Sequence, residues 1–400
     1  VIWSSGLNFI KHQFYILITT FIFKKVFAHY SAHCAIITIL FKKTYMKIEL
    51  LKNKIIEWGD ELGFDGVGFT DIDLKEDETH LLNWLENKFH GEMHYMEKHG
   101  VKRSRPDKIM PGTVRVISFR MNYLKDNTYD SKNVLDNKNL GYISRYALGK
   151  DYHSEMRNRL HKIAKRINNE VEDFKYRAFV DSAPVLEKAI GQKAGLGWIG
   201  KNTILINKEN GSYFFLGEIY TNINFKVDKK AKNFCGECSE CIKVCPTNAI
   251  IAPHVLDAKK CIAYLTIELK GTIPKKYRDS IGNRIFGCDD CQLVCPWNRF
   301  STETRIEEFS HKHELDSPTL ISLFKWSEDE FKKNTKNTPI NRISYFQWLR
   351  NIAIGLGNSE INLKTLSALK KKKECVNDSI LIEHIDWAIK KQSNSNLSIS

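Results

Sequence analysis

The sequence predicts an α+β protein in three folded parts, and three observations carry that expectation. Helical and strand-like periodicities alternate from Met46 to about residue 230, the pattern of a sheet flanked by helices. Eight of the ten cysteines then crowd between Cys235 and Cys295, inside a segment that we bound at 231–300. Over 301–391 the apolar spacing is helical, and the Ser/Asn-rich 392–400 reads as a flexible tail. With 42% hydrophobic residues in a 400-residue chain, each part can fill a core of its own.

Taken in order, Ile48–Leu62 has apolar residues at helical spacing, and Gly63 stands where a C-cap glycine would end that helix. Val67–Thr70 reads as a short strand and Glu78–Lys88 as a second helix. Pro111-Gly112 signals a turn before the β-rich run Val114–Tyr123. His153–Val171 is a long amphipathic helix with a basic outer face, and Arg177–Asp181 a short strand ending on a carboxylate. Pro184–Ala194 is helix-like and Thr203–Ile206 β-like. In the C-terminal part Ser317–Lys333, Arg342–Gly355 and Ile380–Lys390 read as amphipathic helices. The run Lys370–Lys373 reads as the solvated end of a helix, with RNA contact as the alternative.

The first 45 residues differ from the rest. They hold no methionine before Met46, and their apolar runs, Gln13–Phe23 and Val26–Phe41, are flanked by Lys24–Lys25 and Lys42–Lys43. Neither run reaches the roughly 18–20 apolar residues of a membrane-spanning helix. No small-residue cleavage site or twin-arginine motif follows. We expect 1–45 to be an upstream, non-native extension with Met46 as the true start; a membrane anchor is the alternative.

The cysteines form two groups: Cys235-x2-Cys238-x2-Cys241-x3-Cys245-Pro246, and Cys261 followed by Cys288-x2-Cys291-x3-Cys295-Pro296. The first is the bacterial ferredoxin run, in which three thiolates hold one cubane and the fourth holds its neighbour. Short CxxC loops let consecutive thiolates converge on one cluster, and the proline after each last cysteine turns the chain away. Eight ligands suffice for two [4Fe–4S] clusters. Under the cross-over rule one is held by Cys235, Cys238, Cys241 and Cys295, the other by Cys245, Cys261, Cys288 and Cys291. Zinc sites of four thiolates usually come as two CxxC pairs, and nothing marks a small secreted disulfide scaffold. The spacing predicts an electron-transfer module.

Other motifs mean less than they suggest. Gly195-Leu-Gly197-Trp-Ile-Gly200 matches GxGxxG, but here a helix precedes the glycines and a strand follows, the reverse of a dinucleotide site. We read it as a tight turn or a place where a planar ligand approaches backbone. His90, His94 and His99 lie in HGEMHYMEKHG without the acidic pattern of a metal site, and read as exposed polar surface. Asp181 ends a strand just before a helix. It is either that helix's N-cap or, with a pKa raised beside a pocket, a proton donor. Lys+Arg of 61 against Asp+Glu of 47 gives +14, which favours a polyanionic partner through counterion release.

GYISRYALGKDYH (Gly141–His153), FVDSAPVLEKA (Phe179–Ala189), AGLGWIGKN (Ala194–Asn202), GSYFFLGE (Gly211–Glu218), CIAYLTIE (Cys261–Glu268) and GNRIFGCDDCQLVCPWN (Gly282–Asn298) together resemble the epoxyqueuosine reductase (QueG) family. The resemblance runs from about Met46 to Lys390. It implies a nitroreductase-like α/β domain binding cobalamin and substrate at 46–230, a ferredoxin-like double [4Fe–4S] domain at 231–300 and HEAT-like helices at 301–391. It also implies a cytoplasmic, monomeric oxidoreductase that finishes queuosine biosynthesis in tRNA, fed by an external low-potential electron donor and not associated with membranes. Removing the epoxide oxygen takes two electrons and two protons. Clusters deliver electrons singly, reduced cobalamin supplies the hard chemistry, and Asp181 matches the family's proton donor and cofactor contact.

By the same resemblance Arg103, Ser144, Leu205, Leu216, Ala263, Gly271, Cys288 and Asp289 line the corrin. Ala263 stands where the family's pattern has serine. Asp151-Tyr-His153 lacks the glycine of a DxHxxG motif, Met156 standing in its place, so no histidine is expected beneath cobalt. Two other readings remain: a reductive dehalogenase-like corrinoid enzyme and a corrinoid-reducing electron carrier. The missing twin-arginine signal and the +14 charge weigh against the first, and the large α/β domain against the second.

Overall fold

The computed structural model describes residues 46–125, 130–181 and 183–393. Two compact units divide after Lys54; of the first, residues 46–54 are described, all helical. The expectation for 1–45 lies outside the described residues, as does the tail beyond Ser393. Helix α1 runs over 46–61, and Gly63 follows at φ +80°, the left-handed geometry that ends a helix without a Cβ penalty.

The second unit, from Ile55 onward, is built on a four-stranded antiparallel sheet. Strand β1 (Gly66–Thr70) leads through helix α2 (Lys75–Glu86) to β2 (Arg115–Asn122). Helix α3 (Tyr152–Asn168), β3 (Tyr176–Phe179), helix α4 (Glu187–Lys193) and β4 (Phe214–Thr221) follow. The spatial order is β1-β2-β4-β3, so the last strand enters the middle, where all eight of its residues are buried. Successive strand residues point to opposite faces. On one face Met156 and Leu160 of α3 lie so close to Gly217 that a Cβ there would come within 3.0 Å of each. On the other, Ala189 and Ile190 of α4 pack with Val116, Phe179 and Tyr220. Glu218 shares the Tyr220 face and so lies on the α4 side.

In the C-terminal part Ser317–Lys333 is not one helix. It divides into α5 (Leu320–Lys325) and α6 (Glu328–Thr335), because Ser327 caps α6 in a reciprocal capping box with Glu330. Helices α7 (Tyr345–Asn358), α8 (Leu363–Glu374) and α9 (Ser379–Ser393) follow, the last of them ending the described residues. The lysine run forms the last turn of α8, where cations complement the helix dipole.

Helix α7 is buried from Trp348 to Gly357. Its Trp348, Leu349 and Ile352 share one apolar cluster with Ile143 and Ala147 from before the cysteines and Ile285 and Phe286 from among them. Full burial of each such side chain contributes about 1.5–3 kcal/mol. Tyr142–Ile143 also pairs in parallel with Arg284–Phe286, so the three predicted segments are tied by both backbone and core.

Candidate active site and metal centres

Strand β3 stops at Phe179, and Asp181 stands just beyond it at φ +26°, a backbone angle that costs a non-glycine residue energy. Its Oδ2 accepts a hydrogen bond from Tyr152 Oη at 2.9 Å and lies 3.2 Å from His153 Nε2. The guanidinium of Arg342 comes within 3.8 Å from the C-terminal part. The side chain keeps 46% of its surface open. Tyr152 and His153 are placed by the start of α3, where Asp151 caps the helix through the His153 N–H and takes His153 Nδ1 at 2.6 Å. Each imidazole nitrogen thus lies beside a carboxylate, and Arg342 Nη2 comes to 2.8 Å from Nδ1 and 2.7 Å from Nε2.

The electrostatics correct one expectation. Burial works to raise the Asp181 carboxyl, but His153, the Tyr152 hydroxyl and Arg342 outweigh it and hold it below the usual carboxylate range. His153 moves the other way: burial disfavours its charge, and its bonds to Asp151 and Asp181 overcome that and raise it. The elevated group is Glu187, pushed to about 8 by burial and by the charge of Asp181. Its Oε2 accepts the Asp181 N–H at 3.2 Å.

Around this floor stand Tyr95, Arg103, Tyr146 and Glu268, each within electrostatic reach of Asp181. Arg103 is 5% exposed. It donates to Tyr95 O at 2.9 Å and Ala183 O at 3.4 Å, and its buried Nε has no protein partner. Ser144 Oγ donates to Asp289 Oδ1 at 2.5 Å, and Asp289 Oδ2 takes Tyr142 Oη and the Arg145 N–H, each at 2.8 Å. Tyr146 packs against Phe286, their ring centroids 6.3 Å apart, and burial raises its hydroxyl, with the charges of Asp181 and Asp289 adding to that.

The remaining predicted contacts fall into two places. Leu205 and Leu216 pack in an apolar cluster with Ala194, Leu196 and Phe214. Ala263 caps the π-helix Tyr264–Glu268. Gly271 offers its carbonyl to Arg350 Nη1 at 2.6 Å, and a Cβ built on it would meet no atom within 4 Å. Arg350 also donates to Leu269 O and Leu265 O at 2.8 and 2.9 Å, fixing the Leu265–Gly271 segment from α7.

Cys235, Cys238, Cys241 and Cys295 line one cavity of about 210 Å³ with Phe234, Trp297 and Phe300. The thiols of Cys241 and Cys295 are raised by burial and then by other cysteines of this set. Cys291 is raised by burial and has Cys261 and Cys245 among its charged neighbours, and Cys288 Sγ donates to Asp290 Oδ2 at 2.8 Å. All eight are free thiols. Crowded, mostly half-buried thiols that repel one another once ionised form a donor set suited to iron.

The GxGxxG segment braces these loops. Trp198 Nε1 donates to Cys235 Sγ at 3.4 Å, Lys201 Nζ donates to Gly236 O and Cys238 O, and Asn202 Nδ2 donates to Cys291 O. A Cβ at Gly197 would sit 2.4 Å from Ile206 O, so the tight-turn reading holds. His90, expected on the surface, is buried, with Nε2 at 2.5 Å from Glu97 Oε1.

Comparison with known proteins agrees with this geometry. Residues 103–182 match the family described as epoxyqueuosine reductase QueG, DUF1730, and 234–298 match a 4Fe-4S double cluster binding domain. The epoxyqueuosine reductase of Pseudomonas aeruginosa is 51% identical over 346 residues, covering 86% of this chain and 95% of that one. The Escherichia coli enzyme is 50% identical over 347 residues, 87% and 91% of the two chains. The chain belongs to the epoxyqueuosine reductase family. Among solved structures, the Bacillus subtilis epoxyqueuosine reductase, with its catalytic aspartate loop swung out of the active site, superposes with a TM-score of 0.79. It is 28% identical and covers 86% of this chain and 91% of that chain. An epoxyqueuosine reductase crystallised with an epoxyqueuosine-modified tRNA-Tyr stem loop gives 0.74 at 26% identity, over 86% and 99%.

The cofactors of the family fit what is present. The cysteine cavity suits a cluster, while the unpartnered Nε of Arg103 and the open side of Gly271 suit a large polar ligand. Sequence reasoning missed Arg342, Glu187 and the roles of Tyr152 and His153. Only His153 carried a signal, in the Asp-x-His spacing that was weighed for cobalt alone.

Proposed function

We propose that this member of the family reduces epoxyqueuosine to queuosine at the wobble position of tRNA, the last step of queuosine biosynthesis. The observation that carries the reading is the Asp181 carboxylate, seated between a phenol, an imidazole and a guanidinium. In the net reaction two C–O bonds of the epoxide break, a C=C bond forms, and the oxygen leaves as water with two protons and two electrons. When bound, cobalamin supplies a strongly reducing nucleophilic centre and the two [4Fe–4S] clusters supply single electrons.

The protein's own groups do the rest. Asp181 delivers a proton to the departing oxygen, Tyr152 and His153 orient it, and Arg342 stabilises its conjugate base. Cys235, Cys238, Cys241 and Cys295 hold one cluster; Cys245, Cys261, Cys288 and Cys291 hold the other. Arg103, Ser144, Asp181, Leu205, Leu216, Ala263, Gly271, Cys288 and Asp289 line the corrin. His153, held by Asp151, Asp181 and Arg342, is not among the residues that would hold the cofactor. We further read the enzyme as a cytoplasmic monomer taking electrons from an external low-potential donor. No described helix is long and apolar enough to cross a membrane.

The test is anaerobic incubation of reconstituted protein with cobalamin, reductant and epoxyqueuosine-containing tRNA, followed by nucleoside mass spectrometry. Cobalamin-dependent appearance of queuosine is expected. Bound cobalamin without conversion would point to the dehalogenase-like or carrier reading.

A further inference from the structure

Iron–sulfur clusters pass electrons on singly and make none, so a reduction run through them draws on a donor outside the chain. The cavity of about 210 Å³ lined by Cys235, Cys238, Cys241 and Cys295 lies where such electrons can enter. Cys238 is the exposed one among the eight cysteines of the two groups. Cys288, from the other set, lines the corrin in the reading above, which makes the Cys235–Cys295 set the outer one. The tRNA has to reach Asp181, and no residue lining this cavity is among those that touch Asp181.

Four aromatic rings build up around this cavity. Trp198 is buried, and it meets Phe234 and Trp297 edge-on with centroids 5.2 and 5.1 Å away. Phe300 lies 6.0 Å from Trp297. Phe234 and Phe300 line the cavity yet leave 44% and 41% of their surface open. Each open ring has a cation over it: Lys208 Nζ is 5.9 Å from the Phe234 centroid, and the Arg299 guanidinium 4.6 Å from that of Phe300. Lys201 Nζ holds the loop carbonyls of Gly236 and Cys238, and Lys232 is exposed two residues before Phe234. None of these four cations is paired with a carboxylate among the described residues. Of the neighbouring acids, Glu240 is tied to Lys243 at 2.8 Å, which leaves Glu209 and Glu237 and a positive balance.

We propose that this aromatic, basic rim is the docking surface for a small acidic protein that carries a low-potential electron on a flavin or iron–sulfur centre. The proposal rests on the cluster assignment in the reading above. Encounters between electron-transfer partners are small and transient. Open rings at the centre shed water on contact, and unpaired cations around them steer an acidic partner into register. Each encounter oxidises the carrier by one electron and reduces the outer cluster by one, and no bond to the carrier forms. Two encounters meet the two electrons that the reaction consumes. An RNA backbone seated on the same rim would cover the entry point and keep the carrier away, so the protein partner is the occupant that the position favours.

Two measurements test the surface without turnover of tRNA, so they stand whatever the substrate proves to be. Carbodiimide coupling, which joins lysine amines to carboxylates in contact, is run between the reconstituted protein and a flavodoxin, with a plant-type [2Fe–2S] ferredoxin as the second probe. Peptide mass spectrometry should place the links at Lys208 or Lys232. In anaerobic stopped flow either reduced carrier should bleach the clusters at a rate that falls steeply with salt. Lys208→Glu combined with Arg299→Glu should slow that step by about 10-fold or more. Dithionite should reduce parent and variant equally fast, and iron content and tRNA affinity should be unchanged. Links confined to other faces, a variant reduced by the carriers at the parent's rate, or a parent reduced by neither carrier would overturn the docking surface. Loss of tRNA affinity in the variant with carrier rates intact would assign the rim to RNA instead. A protein that takes up no iron would remove the cluster assignment, and the docking surface with it.

Discussion

Replacing Asp181 with alanine separates chemistry from stability, because the structure assigns the two very different magnitudes. The side chain makes one 2.9 Å hydrogen bond, one 3.2 Å contact with His153 and a looser 3.8 Å approach to Arg342. Because 46% of it is open to solvent, these contacts are screened, and their loss should cost at most about 1 kcal/mol of folding stability. His153 keeps its 2.6 Å bond to Asp151, so the start of α3 stays in place. Removing a proton donor should slow the chemical step by about 10²–10⁴-fold, or about 3–5 kcal/mol in the barrier. The assay pairs single-turnover nucleoside analysis with urea unfolding and iron and cobalamin content. The expected variant is folded and fully loaded, with little conversion. Conversion at the parent's rate would refute the assignment of Asp181, and loss of the clusters would refute the claim that its role is local.

Other outcomes follow from the same geometry. Arg350→Met should destabilise the protein by about 3–5 kcal/mol in urea, since it strands the buried carbonyls of Leu265 and Leu269 and the half-buried one of Gly271. Cys241→Ser removes one of four thiols around a shared cavity, and iron and sulfide analysis should show about half the content lost. His384 is fully buried and neutral, with Nε2 accepting the Ile273 N–H at 3.1 Å and Nδ1 bonded to Ile380 O at 2.7 Å; burial depresses it to about 4. Its unfolded form takes up a proton first, so its contribution is complete above the unfolded value near 6.5 and fades as pH falls toward 4. Urea unfolding should show a loss on the order of 3 kcal/mol across that window; a flat profile would contradict it. Binding of the tRNA substrate should weaken steeply with salt as phosphate contacts release counterions, and a flat response in filter binding would count against the basic surface.

The parts legible in the sequence were those where one residue type does one job. Cysteine spacing announced the cluster loops, β-rich composition and a turn signal placed β2, and Gly63 marked the end of α1. Strand β4 was harder to read as a strand, because Gly217 and Glu218 interrupt its apolar run. One makes room for α3 and the other places an acid under α4, and both weaken a β signal for tertiary reasons. The break at Ser327 was readable, since Ser327 and Glu330 have capping-box spacing, but the apolar pattern on either side concealed it. Arg342 joins Asp181 only through the packing of the C-terminal helices, and no local pattern could announce that. Glu187 looks in sequence like any acid in the first turn of a helix; what distinguishes it is the Asp181 N–H above it.

The apolar cluster that joins Ile143, Phe286 and Trp348 also bears on how such an enzyme can be inherited. Recombination between relatives would leave a crossover near residue 300 with half of a jigsaw on each side, and would separate Arg350 from the carbonyls it binds. Hybrids joined there should misassemble even where every catalytic side chain is retained. A productive exchange would carry the stretch from Gly141 through α7 as a block, and gene shuffling among homologues should recover survivors with their junctions outside it.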